Sequence, residues 1–281
     1  MMSESDDRIV SIKLRDFQML LGNYQYRDSR IDYAFKLLDD RLQKTRHWLK
    51  ASREVASFTY DITEESLRAM VGLAASVCGV GIVEAEAYFS ELLEDSDFLD
   101  KISKAKGECK YANELDETAK PGHRMFLYAI ARIKKPKIVV EAGPFRGFGS
   151  VFLIEAIRRN DLDGFPGEIF TVDIMNAFDG DIVEACGYGA FRKVRVGDAT
   201  EFIENFEEKI DIFLSETHYS GGYGKQLKAI EGKLQQGGVI TMSALDDELY
   251  NFSKMFGRRY ASFYTEAVNH IYQGQFCCVS Y

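Results

Sequence analysis

Apolar residues follow a helical spacing in the first part of the chain. A long amphipathic helix is predicted from residue 28 to 52, because apolar positions recur there about every 3.6 residues: Ile31, Phe35, Leu38, Leu42 and Leu49. A second helix is predicted to begin at Asp61, whose carboxylate would cap it while Glu64 reaches back to close a capping box. Two more are predicted to follow, from residues 82 and 97.

After residue 123 the pattern changes to short β-branched runs separated by helical segments. Runs of this kind form parallel strands that are buried on both faces. The predicted strands are 137–142, 168–173, 192–198, 210–215 and 237–242. Residues 258–268 and 271–281 read as two longer strands joined by a tight turn at Asn269 and His270, an antiparallel hairpin. We therefore predict an α/β fold with a doubly wound sheet over residues 114–281, after a helical region over 1–113.

Composition narrows the class of protein. With 46% hydrophobic residues the chain can bury a core, and its net charge of -9 argues against a phosphate-backbone partner, so we expect no nucleic-acid binding. No apolar stretch is long enough for a membrane span, and the polar start lacks the features of a secretory signal, which predicts a cytoplasmic protein without a membrane partner. The odd count of five cysteines has no metal-ligand spacing and indicates reduced thiols.

A glycine-rich turn follows the first predicted parallel strand. Its glycines are Gly143, Gly147 and Gly149, which is not the G-x-G-x-x-G order of a dinucleotide fold, and no P-loop sequence is present. Such a turn lets a ligand approach bare backbone, while the helix that follows offers unpaired N–H groups to an anion. An adenosine-containing amino acid would suit both parts of this turn.

Several motifs in order extend this interpretation: "YAIARIKKPKIVVEAGPFRGFGS", "FTVDI", "VGDATEF", "SETHYS" and "LQQGGVITMSALDD". With them, residues 114–281 resemble the class I S-adenosylmethionine-dependent methyltransferase family, and most of all its bacterial small-molecule group. The resemblance implies a Rossmann-like sheet with a reversed last strand. It also implies S-adenosylmethionine (SAM) as methyl donor or substrate.

The resemblance assigns residues to the cofactor. Glu141 would lie near the amino group of the methionine moiety, Asp173 would accept both ribose hydroxyls, and Asp198 would accept from the adenine amino group. The alternative for Asp173 is an acid that only caps a turn, and a purely structural role is the alternative for Asp198 as well. The full predicted cofactor set is Glu141, Gly143, Phe145, Gly147, Ser150, Asp173, Ile174, Asp198, Ala199 and Ser215.

Catalytic candidates lie mainly after the fourth predicted strand. His218 is the preferred general base because its ordinary pKa lies near neutrality, and hydrogen bonding to a loop backbone is the alternative. The other candidates are Ser215, Glu216 and Tyr188. His123, in the linker before the fold, could reach the site from the lid, but its preferred interpretation is a surface histidine.

Metal-dependent relatives place carboxylates in this region. Glu216, Asp246 and Asp247 could supply oxygen ligands for a hard cation. However, Ser215 takes the place of the usual acid when the motif is aligned, so no metal is predicted.

Three functions stay open at this point. The leading prediction is transfer of a methyl group to oxygen or nitrogen of a small metabolite. The second is cyclisation of SAM itself to azetidine-2-carboxylate, with release of methylthioadenosine. The third is a non-catalytic binding subunit with this fold. In each case the N-terminal helices would serve as a lid over the site or as a contact in a homodimer.

Overall fold

A computed structural model describes residues 14–51, 59–114, 120–217, 222–243, 247–268 and 274–281. The helices are α1 (Leu14–Ala51), α2 (Glu64–Cys78), α3 (Ile82–Leu93), α4 (Ser96–Glu108), α5 (Arg124–Lys134), α6 (Phe148–Leu162), α7 (Ile182–Ala185), α8 (Ala199–Asn205), α9 (Gly222–Glu231) and α10 (Asp247–Met255). The strands are β1 (Asp61–Ile62), β2 (Ile138–Ala142), β3 (Glu168–Asp173), β4 (Arg192–Val196), β5 (Ile210–Ser215), β6 (Leu234–Met242), β7 (Tyr260–Val268) and β8 (Gly274–Ser280).

These strands form one sheet in the order β1-β7-β8-β6-β5-β2-β3-β4. Strands β2 to β6 run parallel, with β2 paired to both β3 and β5. Strand β8 pairs antiparallel with β6 and β7, which confirms the predicted hairpin, although its turn lies outside the described residues. The predicted doubly wound α/β fold is therefore confirmed.

Helices cover both faces of the sheet. One core lies between the sheet and α2 to α6, and the other lies between the sheet and α8, α9 and α10. All five residues of β2 are buried, as expected for a strand between two helical layers. The five cysteines are free thiols.

The start of α2 corrects a prediction. The expected cap, Asp61, instead pairs with Val268 across β1 and β7, and the N-H of Thr63 donates to the Glu266 carbonyl at 3.1 Å. Thr63 is the N-cap, because its side chain accepts a hydrogen bond from the N–H of Ser66. Pairing with the C-terminal hairpin thus shifts the helix start by two residues.

The chain divides into two compact units, with the boundary after Lys50. The first unit contains α1, which begins earlier than predicted, at Leu14, and ends at Ala51. Helices α2 to α4 belong to the second unit, together with the sheet. A functional division between residues 113 and 114 stays a prediction. Among the described residues, no helix is long and apolar enough to cross a membrane.

A buried ion-pair network ties α3 to α5 and α6. Arg132 of α5 is only 5% exposed and donates to both carboxylate oxygens of Glu91 at 2.8 and 2.9 Å. The same guanidinium donates to Asp163 at 3.0 Å and to the side-chain oxygen of Asn160. Because each partner satisfies part of one buried cation, loss of the arginine would leave several polar groups unpaired.

We therefore expect Arg132→Ala to lower the free energy of unfolding by about 3 to 5 kcal/mol, measured by urea denaturation. The matched control is Arg68→Ala, because Arg68 also pairs with a glutamate, Glu64, but on the exposed surface of α2. Its cost should stay below about 1 kcal/mol. Equal losses in the two variants would show that the buried network stabilises the protein no more than an exposed ion pair does.

Candidate functional site

The carboxyl ends of the central strands meet at one edge of the sheet. Three backbone hydrogen bonds of 2.8 Å extend beyond the strand ends and hold the loops there: Gly143 N–H to the Val172 carbonyl, Glu216 N–H to the Ala142 carbonyl, and Gly197 N–H to the Asp173 carbonyl. Strand β2 lies between β3 and β5, so the loops after these strands turn to opposite sides. A crevice at such a point is the usual ligand site of open α/β sheets.

The glycine turn after β2 is built from left-handed backbone. Gly143 and Gly147 have φ values of 76° and 78°. A Cβ at Gly147 would lie 2.8 Å from Val183 and 2.9 Å from a carboxylate oxygen of Asp181. Only glycine therefore fits at this position. Phe145, between the two glycines, also has a positive φ of 53°, a strained conformation for a bulky residue.

The three bulky side chains of the turn have different surroundings. Phe148 is buried, with the guanidinium of Arg124 4.5 Å and the ammonium of Lys106 5.0 Å from its ring centre. Arg146 donates to both oxygens of Glu114 at 3.0 and 3.1 Å. Phe145 stays partly exposed. The turn is thereby tied to the segment that precedes α5.

Two acids with unusual pKa values lie at this edge. Glu141 is buried in β2 and accepts a hydrogen bond from Ser150 at 2.6 Å, and burial, together with the nearby charge of Glu216, raises its pKa to about 7. Burial likewise raises the pKa of Glu216 to about 7, against the opposing effects of a hydrogen bond from Ser243 and the charge of Arg124. Both acids can therefore gain or lose a proton near neutral pH.

Asp173 lies at the end of β3, as the sequence predicted. Its Oδ1 accepts from the N–H of Met175 at 2.9 Å, and among the described residues no group is bonded to its Oδ2. The next residue, Ile174, is 63% exposed. An acid with an oxygen to spare beside exposed apolar surface suits a ligand that combines a sugar with a flat ring.

Asp198 has a local structural role. It is the N-cap of α8, and its Oδ1 accepts from the N–H groups of Thr200 at 2.7 Å and Glu201 at 3.1 Å. These bonds lower its pKa. Ala199, the first residue of α8, is buried. The adenine contact predicted for Asp198 and Ala199 stays a prediction. In that contact, the other carboxylate oxygen of Asp198 would accept from the adenine amino group.

Ser215 is fully buried at the end of β5. Its hydroxyl donates to the side-chain oxygen of Gln226 at 2.6 Å, and Gln226 in turn donates to Thr217 at 3.3 Å. The Ser215 proton is therefore held by the core of the protein. Sequence reasoning missed Gln226, although it occupies the apolar stripe of α9 with Leu227 and Ile230, where a polar residue signals a buried hydrogen bond.

Tyr188 lies outside this group. Its hydroxyl donates to Glu155 at 2.7 Å, and burial raises its pKa. Glu155 stands eight residues after Gly147, or roughly 12 Å along α6 at the usual helical rise. Tyr188 lines a different cavity of 530 Å³, together with Phe98 and Lys101. Its predicted catalytic role has no support in this position and stays a prediction.

Four further residues are the remaining histidine and metal-ligand candidates. His218 and Asp246 lie outside the described residues, and Asp247 is exposed at the start of α10. Within the described ranges, no group of three or more His, Cys, Asp or Glu side chains could hold a metal ion. His123 is buried, with Nδ1 3.2 Å from the Tyr60 hydroxyl, so its interpretation as a surface histidine is wrong. Burial and the charge of Arg124 hold its pKa well below the usual range.

Comparisons with known proteins gave a family-model match and matches to solved structures. A family model described as "Methyltransferase domain" matches residues 140–243. The O-methyltransferase TomG from Streptomyces achromogenes, solved in complex with SAM and involved in tomaymycin synthesis, is 16% identical, with 69% of this chain and 93% of that chain covered and a TM-score of 0.50. The methyltransferase PaMTH1 from Podospora anserina, bound to SAH, is 14% identical, with 79% and 98% covered and a TM-score of 0.46. A search of curated proteins found no match.

The sheet order, the glycine turn and the acids at successive strand ends define a class I methyltransferase fold. Residues 140–243 match the methyltransferase domain model, and the fold is the one seen in SAM-bound TomG.

The raised pKa of Glu141 predicts a pH-dependent stability. Between about pH 4.5 and pH 7 the unfolded glutamate ionises while the folded one stays protonated, so this residue stabilises the fold at low pH and loses that effect as pH rises through 7. Glu141→Gln removes this ionisation. The free energy of unfolding of the variant, relative to that of the wild type, should therefore rise by up to about 3 kcal/mol from pH 5 to pH 8. Urea denaturation at both pH values measures this difference.

Glu168→Gln is the control for this comparison, because Glu168 is exposed at the start of β3. Its difference from the wild type should be the same at both pH values. A constant difference for Glu141→Gln as well would refute the raised pKa.

Proposed function

We propose that this enzyme binds SAM in the crevice at the strand ends and transfers its methyl group to oxygen or nitrogen of a small metabolite. Bound there, SAM supplies an electrophilic methyl group. The observation that carries the proposal is the placement of Glu141, the Gly143 to Gly147 turn and Asp173 at the ends of adjacent strands within the methyltransferase domain.

The residues present fit such a ligand. The turn lets it approach the backbone, and Gly147 has no side chain to cap α6, so a carboxylate can accept from the first-turn N–H groups. Asp173 offers Oδ2 to ribose hydroxyls, and Ile174 offers its exposed side chain to an adenine face. Asp198 and Ala199 would bind the edge of the adenine, while Ser150 holds Glu141 in place near the amino group.

Glu216 is the favoured general base among the described residues. Its raised pKa of about 7 places its protonation change at neutral pH, where a base both holds and releases a proton well. Ser243 donates a hydrogen bond to one carboxylate oxygen of Glu216. The Glu216 side chain stays partly exposed, so its other oxygen can accept a proton from a hydroxyl or amine. TomG is described as an O-methyltransferase, which favours hydroxyl acceptors as the first to test.

One incubation tests the function. Purified protein with SAM and a panel of small phenols, alcohols and amines should give S-adenosylhomocysteine and a methylated product, detected by mass spectrometry. Methylthioadenosine from SAM alone would instead show the cyclisation. No SAM binding by calorimetry would overturn every catalytic alternative together.

The role of Asp173 is tested by Asp173→Asn. The amide replaces one acceptor oxygen with a donor, so SAM binding should weaken by about 1 to 3 kcal/mol, since hydrogen bonds to charged groups contribute about that much. Calorimetry measures the change. Asp179→Asn is the matched control, because Asp179 lies in the same loop with an 82% exposed side chain. Equal affinities for the wild type and both variants would remove Asp173 from the site.

Glu216→Gln tests the base. Methyl transfer in the wild type should rise with pH through about 7 as Glu216 ionises, and this limb of the profile should disappear in the variant, whose rate should fall about 100-fold or more. Glu204→Gln, an exposed position on α8, should leave the profile unchanged. A variant that keeps the limb would assign the base to another residue, with His218 the next to substitute.

A further inference from the structure

Helix α1 presents a row of large apolar side chains to solvent. Over its described side chains, Ile31, Phe35, Leu38, Leu42 and Leu49 are 42%, 67%, 60%, 46% and 66% exposed. Isolated exposed apolar residues are ordinary, but a continuous row along one helix indicates an interaction surface. We call the face formed by positions 28, 31, 35, 38, 42, 45 and 49 the α1 seam.

The spacing of the seam is that of a coiled coil. Successive positions differ alternately by three and four residues, a repeat of 3.5, which keeps one face toward a partner helix. In the sequence the same spacing continues back through Tyr24, Leu21, Phe17 and Leu14. Five heptads exceed the three or four that indicate a coiled coil, and a 38-residue helix spans roughly 57 Å.

Polar positions and charge identify the partner and its direction. The α1 seam contains two polar residues, Asp28 and Thr45. Consider two copies aligned antiparallel, with Phe35 of one opposite Leu38 of the other. In this alignment Ile31 faces Leu42, so apolar residues contact apolar residues. Asp28 faces Thr45, so the two polar positions also meet each other. A parallel pair would instead place Asp28 against Asp28 of the other copy, two like charges at the seam.

The charges outside the seam favour the same arrangement. Outside the seam, residues 29–40 carry three acids and two bases, whereas residues 41–50 carry four bases and no acid: Asp32, Asp39 and Asp40 with Arg30 and Lys36, then Arg41, Lys44, Arg46 and Lys50. An antiparallel pair brings the basic stretch 41–50 of one copy next to the more acidic stretch 29–40 of the other, whereas a parallel pair places the two basic stretches side by side. Such surface charge selects direction more than it adds affinity.

We propose that α1 forms an antiparallel coiled coil with α1 of a second copy of this chain, so that the enzyme is a homodimer held by its N-terminal helix. The inference rests on the α1 seam alone and is independent of the proposed reaction. A second copy is the occupant because the α1 seam is complementary to itself.

The full chain should sediment as a dimer at micromolar concentration in analytical ultracentrifugation. Phe35→Glu with Leu38→Glu places four acids at the centre of the coiled coil and should weaken the dimer about 100-fold or more. The control, Tyr33→Glu with His47→Glu, puts the same two acids on the opposite face of α1 and should stay dimeric. A monomeric wild type, or a dimer unaffected by the seam substitutions, would overturn the proposal.

Cross-linking tests the direction. Asp28→Cys combined with Thr45→Cys should give a disulfide-linked dimer on mild oxidation, while each single substitution should not. Cross-linking by Asp28→Cys alone would show a parallel pair and overturn the antiparallel arrangement. Methylthioadenosine or S-adenosylhomocysteine formation is measured separately, so failure of the reaction leaves this test unaffected.

Discussion

Parallel pairing of β2 with β3 on one side and β5 on the other is the constraint on which the site depends. Because the chain adds strands on both sides of β2, the strand order reverses there, which is the position where open α/β sheets usually bind their ligands. The same pairing aligns the strand ends, so that Glu141, Asp173 and Glu216 come together although up to 75 residues separate them in the sequence. Each loop is then held by a backbone bond to the neighbouring strand.

Two carboxyl groups, the buried Glu141 and the largely enclosed Glu216, lie at this edge, where their ionisation is unfavourable. Ser150 and Ser243 each donate a hydrogen bond to one of them, and Arg124 adds a positive charge near Glu216, yet burial still dominates and their pKa values stay near 7. Carboxyl groups whose ionisation is unfavourable gain from a cationic or proton-donating ligand beside them. The strained backbone of Phe145 and the close packing of Gly147 against Val183 and Asp181 both lie in the glycine turn after β2.

The helices before the sheet differ in how they relate to it. Helices α2 to α4 share a core with α5 and α6, and Glu91 and Asp95 bind the arginines of those helices, so they belong to the compact unit that contains the sheet. Helix α1 forms the other unit and keeps its apolar face exposed. A lid function for any of these helices stays a prediction.

Much of the fold was predictable because its signals are local. The β-branched runs between helical segments identified the parallel strands, and the order of glycines after β2 separated this turn from a dinucleotide loop before any contact was known. The acids at strand ends, Asp173 and Asp198, were likewise visible in the sequence. These features depend on residues close together in the chain.

What only the tertiary structure decided depends on residues far apart in the sequence. Pairing with the terminal hairpin moved the cap of α2 from Asp61 to Thr63, and packing buried His123, which the sequence left at the surface. The Ser215 hydroxyl donates a hydrogen bond to Gln226, and the Tyr188 hydroxyl donates one to Glu155. The sequence by itself determined the strands and the glycine turn. The folded chain decided which side chains at the strand ends stay available, because hydrogen bonding and burial depend on partners that no local pattern identifies.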